Sequence, residues 1–292
     1  MTLIEPMPQM KKQDYPADMF EIPRHDARYS IVSSVGEDES PQVVEKAQQI
    51  HGVSYVNYDY FDESGKMDDG RLVPDLDGTR SDMSGKVVAS YFVAFPAGGV
   101  VEHAKATVRL LDIGANGSLE DLPTYKYFAD TFDDNTKTGL KSVIDTYGNS
   151  SVREVAALGT IESGEHRGSF ELMRALVQNS VLKDAAGHPE LYLASLTDSS
   201  FRPVLGFIHP KSANILSKPV RIFSDDPRSK LIYVTPVLMD LSAVIQNTAQ
   251  AVESAHTSSE AAKLEANLRF ITDGLPEDLV DQYINAYSNK IV

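Results

Sequence analysis

The chain has 292 residues, 42% of them hydrophobic and 24% charged, enough for one large domain or two modest ones. Its 42 acidic and 27 basic residues leave a net charge of −15, which argues against a nucleic-acid surface and against docking on anionic lipid, while a local basic pocket for a small anion stays open. The absence of cysteine excludes disulfides, thiolate metal sites and cysteine nucleophiles.

Residues 1–40 are rich in Pro, Asp, Glu and Met without clear periodicity and read as an irregular arm. They contain no apolar run long enough for a signal peptide, and no later segment reaches the ~18 apolar residues of a membrane helix. The chain therefore reads as cytoplasmic. PQVVEKAQQIHG, 41–52, predicts a short helix with Pro41 in its first turn and Gly52 as its stop. VSYVNYDY, 53–60, alternates and is expected to be extended. An acidic, turn-rich stretch fills 61–84. KVVASYFVAFP, 86–96, and EHAKATVRLLDI, 102–113, then predict an antiparallel hairpin, with Arg109 on the polar side of the second strand.

A helix is expected near 137–147 and a strand over REVAALGTI, 153–161. Next comes a turn with glycines and a basic pair, and then a helix over 171–187 whose Leu172, Met173, Leu176, Val177 and Val181 make one apolar stripe. ELYLASLT, 190–197, is a buried strand, DSSFRPVLGFI, 198–208, a short helix broken by Pro203, and 221–224 and 231–239 are closing strands. Two helices, near 240–267 and 276–288, end the chain. The seven histidines are scattered, with neither HExxH nor His-x-His, so no metal is expected.

The turn is the point of chemical interest. A helix N-terminus exposes backbone N–H groups and a partial positive charge, and a glycine there lets a phosphate approach the backbone. His166 and Arg167 add local positive charge, and Gly168 and Ser169 complete a candidate anion nest. The plainer alternative is a tight turn at Gly168 with Ser169 as helix cap.

GEHRGSFELM followed by RPVLGF, one helix and one strand later, resembles the pyrophosphate loop and the Gly-Phe helix of the GNAT superfamily of acyl-coenzyme A-dependent N-acyltransferases, over about residues 85–240. The sequence departs from that pattern at Glu165, where the family has Gln or Arg, at Phe170, where it has a small residue, and at Arg202, where it often has a tyrosine. ATVRLLD, LPTYKYF and EVAAL in this order resemble, more narrowly, the acyl-homoserine-lactone synthases and the long-chain N-acyl amino acid synthases. Arg109 and Glu154 stand at the matching positions, but Ala156 and Ala157 replace the Ser-Arg pair of the lactone enzymes.

The resemblance implies an α+β fold with a mixed, mostly antiparallel central sheet flanked by helices. It implies acetyl- or acyl-coenzyme A as co-substrate and a small amine or amino acid as acceptor. Leu158, Gly159, Thr160, His166, Arg167, Gly168, Ser169, Phe170 and Ser199 would lie along the coenzyme. Glu154 would be the base and Arg109 a partner for the acceptor's carboxylate. Bland alternatives stand beside these: an ion pair of Glu154 with Arg153, and a surface ion pair for Arg109. Tyr192 or another tyrosine would have to protonate the leaving thiolate. The implied organisation is an arm at 1–40, an acyltransferase domain at 41–240 and C-terminal helices at 241–292, with a homodimer left open. The rival reading is a domain of the same fold that binds an acyl ligand or a protein partner without catalysis.

Overall fold

The computed structural model describes residues 28–285 apart from 59, 75, 77–84, 162–166, 223–225 and 231. Its strands are β1 (Tyr29–Val35), β2 (Val87–Pro96), β3 (Ala106–Ile113), β4 (Val152–Thr160), β5 (Leu191–Thr197), β6 (Ala213–Ile215), β7 (Val220–Ile222) and β8 (Ile232–Met239). Its α-helices are α1 (Pro41–Asn57), α2 (Pro123–Phe128), α3 (Asp134–Tyr147), α4 (Arg167–Ala185), α5 (Asp198–Ile208), α6 (Val244–Glu253), α7 (Ser258–Thr272) and α8 (Glu277–Asn285). The strands form one sheet in the order β1-β2-β3-β4-β5-β8-β6, with β7 also on β8. Among the described residues, only β4 and β5 pair in parallel. This is the mixed, mostly antiparallel sheet flanked by helices that the resemblance implies.

Helices cover both faces of the sheet, so alternate residues of one strand enter two different cores. Phe92 and Ala94 of β2 face α4, α5 and the C-terminal helices, while Ala89, Tyr91 and Val93 face α1, α2 and α3. Arg109 belongs to the second set. It is fully buried, because the face expected to be polar is covered, and this excludes the surface ion pair.

Several local expectations are corrected. Residues 29–35 of the expected arm are an edge strand of the sheet, and 1–27 lie outside the described residues. The first helix does not stop at Gly52 but runs to Asn57, taking in most of the stretch expected to be extended. A Cβ on Gly52 would sit 2.1 Å from the Gly70 carbonyl oxygen, so this glycine serves a close backbone approach and not a helix end. The expected helix 240–267 is two helices, α6 and α7, separated at 254–257.

The C-terminal helices seat on the polar side of α4. Gln178 donates to the carbonyls of Ile271 and Asp273 at 2.7 and 2.8 Å. The Tyr283 hydroxyl meets the Val181 carbonyl at 3.0 Å and the Asp184 carboxylate at 2.5 Å. Val244, Ile245, Ile271, Leu279 and Tyr283 join the same core as Leu172, Leu176 and Val181. This is why α4 is buried almost all round, beyond the single stripe that its sequence shows.

Candidate functional site

β4 bends in its middle. Ala157 has φ +51°, a left-handed conformation that costs a non-glycine residue roughly 1–3 kcal/mol, and the register against β3 shifts between Thr107 and Arg109. This is a β-bulge at the centre of the sheet. Its effect is seen on the other side of β4, where parallel pairing with β5 covers only Val152–Leu191, Arg153–Tyr192 and Glu154–Leu193. Beyond Glu154 the two strands part. β5 continues to pair with β8 up to Thr197, so a V-shaped gap opens within the sheet.

Glu154 stands at the root of the gap. Its neighbours alternate across the sheet, so Arg153 points to the opposite face, where Asp112 takes its guanidinium at 2.5 and 2.8 Å. The suggested Arg153–Glu154 ion pair is therefore absent. The Glu154 carboxylate instead accepts from the Thr124 backbone N–H and hydroxyl, both at 2.9 Å, and that hydroxyl meets Ser195 of β5 at 2.8 Å. Burial pushes the Glu154 carboxyl up to about 7, against the lowering effect of the two Thr124 hydrogen bonds. Leu111 is its partner across β3, and Arg109 is the partner of Ala156. Arg109 and Glu154 are thus diagonal neighbours on one face of the sheet, within about 7–8 Å along the backbone. Arg109 lies over the Tyr91 ring at 5.0 Å.

The open end of the V is spanned from α1. Asn57 donates to the Ile161 carbonyl just past β4, at 2.8 Å. Three residues on, the Tyr60 hydroxyl meets Thr197 at 2.5 Å and Ser199 at 2.8 Å, at the end of β5 and the start of α5. This places Ser199 beside the gap. Gly159 has no room for a side chain, since a Cβ would lie 2.8 Å from Ser54 Oγ of α1. Thr160 is buried and Leu158 half-buried, packed on the α4 side.

Only part of the candidate anion nest lies within the described residues. His166 falls outside the described residues. Helix α4 starts at Arg167, so Gly168 and Ser169 belong to its first turn, and Ser169 is not a cap. Gly168 is buried against β3: an added Cβ would meet that of Ala106 at 2.8 Å. Its lack of a side chain is thus explained by helix–sheet packing. Glu171, one turn into α4, is neutralised by Arg174 at 2.5 Å. Phe170 stacks on Phe207 of α5, with centroids 5.6 Å apart.

Tyr192 is corrected as a proton donor. It is fully buried, its hydroxyl bonds Glu190, and burial together with that charge raises its pKa well above the usual tyrosine value. Thr124, Ser195 and Tyr60 were not singled out. Thr124 lies in the quoted LPTYKYF segment, but nothing in its spacing showed that the α2 start folds back onto Glu154. Among the described residues, no helix is long and apolar enough to cross a membrane.

No family model and no curated protein matches the chain. Among solved structures it is similar to the AHL synthase LasI, at 10% identity and TM-score 0.42, over 72% of this chain and 90% of that one. It is similar to FeeM, an N-acyl amino acid synthase from uncultured soil microbes, at 13% and 0.41, over 70% and 93%. It is also similar to BjaI, a CoA-dependent acyl-homoserine lactone synthase, at 13% and 0.40, over 87% and 96%. These are the groups that the sequence motifs resemble. At such identities and TM-scores the likeness is one of fold and says nothing of substrate.

Proposed function

We propose that this chain is an N-acyltransferase that moves an acyl group from a coenzyme A thioester to a small amine or amino-acid-like acceptor. The supporting observation is a buried carboxyl, Glu154, at the root of a split between two central strands, where burial raises its pKa to about 7. In the reaction, Glu154 accepts one proton of the acceptor's ammonium, the amine nitrogen bonds the thioester carbon, the carbon–sulfur bond breaks, and the leaving thiolate takes the second nitrogen proton, directly or through water, to depart as coenzyme A thiol while Glu154 returns its proton to solvent. Backbone N–H groups of β4 beyond the bulge, which no longer pair with β5, are oriented donors for the intermediate's oxyanion. Arg109, on the same face as Glu154, supplies positive charge for a carboxylate on the acceptor. The α4 N-terminus, with Arg167, faces the phosphates of the donor.

A non-catalytic rival has one observation in its favour: Phe170 reaches from α4 to α5 and stacks on Phe207, on the side where the donor would enter. Measuring acyl transfer by Glu154→Gln decides between them. The enzyme reading expects a fall of about 10²-fold or more in rate with donor affinity nearly unchanged. Full activity in the variant would remove Glu154 from the reaction. A wild type that binds acyl-coenzyme A and acylates no amine would favour the rival.

A further inference from the structure

Glu154 is almost fully buried, so a proton that it takes up needs an outlet before the next turnover. In the proposed reaction the acceptor, and then its product, fills the root of the gap and closes the side from which the proton came. The other side leads through hydroxyls. Thr124 Oγ1 lies 2.9 Å from Glu154 Oε1 and 2.8 Å from Ser195 Oγ. Thr124 is buried, whereas Ser195 is half-buried. Ser195 stands two residues past Leu193, the last β5 residue paired with β4, and so on the face of the sheet that holds Glu154. The three oxygens run from a buried carboxyl to the inner border of β5.

This chain can reverse its direction. A hydroxyl carries one proton and two lone pairs, so it can accept from one neighbour and donate to the other. Ionised Glu154 can only accept, which makes Thr124 donate to it and Ser195 donate to Thr124. The Thr124 backbone N–H can only donate, and it occupies Oε2 at 2.9 Å. An added proton therefore settles on Oε1, the oxygen bonded to the Thr124 hydroxyl. Rotation about the C–O bonds then turns the chain round: Glu154 donates to Thr124, Thr124 to Ser195, and Ser195 outward. An anchor for the carboxylate would need the two Thr124 bonds alone and has no use for a further hydroxyl at the gap.

We propose that Thr124 and Ser195 form the relay that returns the proton of Glu154 to water in the gap. The proposal rests on the acyltransferase reading with Glu154 as base. The Oε1–H bond breaks as Thr124 Oγ1 takes that proton, Thr124 passes its own proton to Ser195 Oγ, and Ser195 passes its own to a water molecule. Glu154 is left as a carboxylate and both hydroxyls are restored. One proton has moved, and nothing has been oxidised or reduced. Neither hydroxyl touches the reacting carbon; both act through Glu154.

Steady-state release of coenzyme A thiol tests this, with acetyl- and octanoyl-coenzyme A as donors and amino acids as acceptors. Thr124→Val keeps the shape and the backbone N–H, and should lower kcat by ~10-fold or more with KM nearly unchanged. Thr124→Ser keeps the hydroxyl and should recover most of that loss. Ser195→Ala should lower kcat as well, and imidazole, a small base that can enter the gap, should restore it by taking the proton from Thr124. A structural role for the serine would not respond to imidazole. Thermal melts establish that each variant is folded, and if Thr124→Val is not, the imidazole response of Ser195→Ala decides. Full kcat in Thr124→Val or in Ser195→Ala while Glu154→Gln is slow overturns the relay and leaves Glu154 as the base. A loss in Ser195→Ala that imidazole does not restore overturns it too. Full activity in Glu154→Gln, or a wild type that acylates no amine, overturns the acyltransferase reading and the relay with it.

Discussion

At the scale of single residues, Glu154 couples chemistry to stability. Its carboxyl rises from 4.5 to about 7 on folding, because burial penalises the charged form. The folded state therefore holds a proton that the unfolded state releases between those values. Stability from this group is full below about 4.5 and is lost as pH rises through about 7, by roughly 3 kcal/mol. Asp184 and Asp240 are also raised by burial and add the same sign above their own range. Urea melts across pH 5–8 should show falling stability for wild type and a shallower fall for Glu154→Gln. Parallel slopes would mean that the carboxyl is already ionised in the folded protein at pH 5. Acyl transfer should run the other way, rising through about pH 7 as the base form appears. The group that makes the site reactive is thus one that makes the fold weaker at the same pH.

At the scale of elements, the first turn of α4 is set by a contact and not by a cap. Gly168→Ala adds a methyl 2.8 Å from that of Ala106, neither of which is the free end of a flexible chain. The helix start must lift, at a cost of about 1–3 kcal/mol for overpacking, offset in part by up to ~1 kcal/mol of better helix propensity. Thermal melting should show the net loss, and coenzyme A binding should weaken as well, since Arg167 rides on the same turn. An unchanged or raised melting temperature would show that the turn has slack. The sequence made this helix and its flanking strands legible, since period-two and 3.6-residue patterns follow from one covered face. It misplaced the helix start by four residues, because Arg167–Phe170 looks like a loop with glycine until Ala106 is seen beneath it. It missed the continuation of α1 past Gly52 for the same reason, a close approach by residues far away in sequence.

At the scale of the whole molecule, α6, α7 and α8 are part of the core. Residues 241–292 supply Ile245, Ile271, Leu279 and Tyr283 to it, and carbonyls of Ile271 and Asp273 to Gln178. Ending the chain after Asp240 would leave buried donors of α4 unmet and expose its second apolar side. The truncated protein should be insoluble or molten, with retained far-UV and lost near-UV circular dichroism and with dye binding. A sharp thermal transition in the truncated chain would show that these helices are an appendage. The candidate site was legible where it depended on residue order along the chain, as for Glu154 and Arg109. It was not legible where distant segments meet: Thr124 on Glu154 and Tyr60 on Thr197.

The split between β4 and β5 also changes how many borders the sheet has. A continuous sheet has two, and this one has four, since β4 beyond Glu154 and β5 beyond Leu193 each present an inner border. A bare border of this kind is a template on which an extended segment of another chain can add. The outer border beside β8 is managed in an ordinary way, by the short β6 and β7. The inner pair is guarded by the hydrogen bonds of Asn57 and Tyr60, which tie the two strand ends to one stretch of chain. The stretch that frames the gap for a small molecule therefore also denies it to a polypeptide, and losing those bonds would threaten the protein with self-association before it threatened the fold.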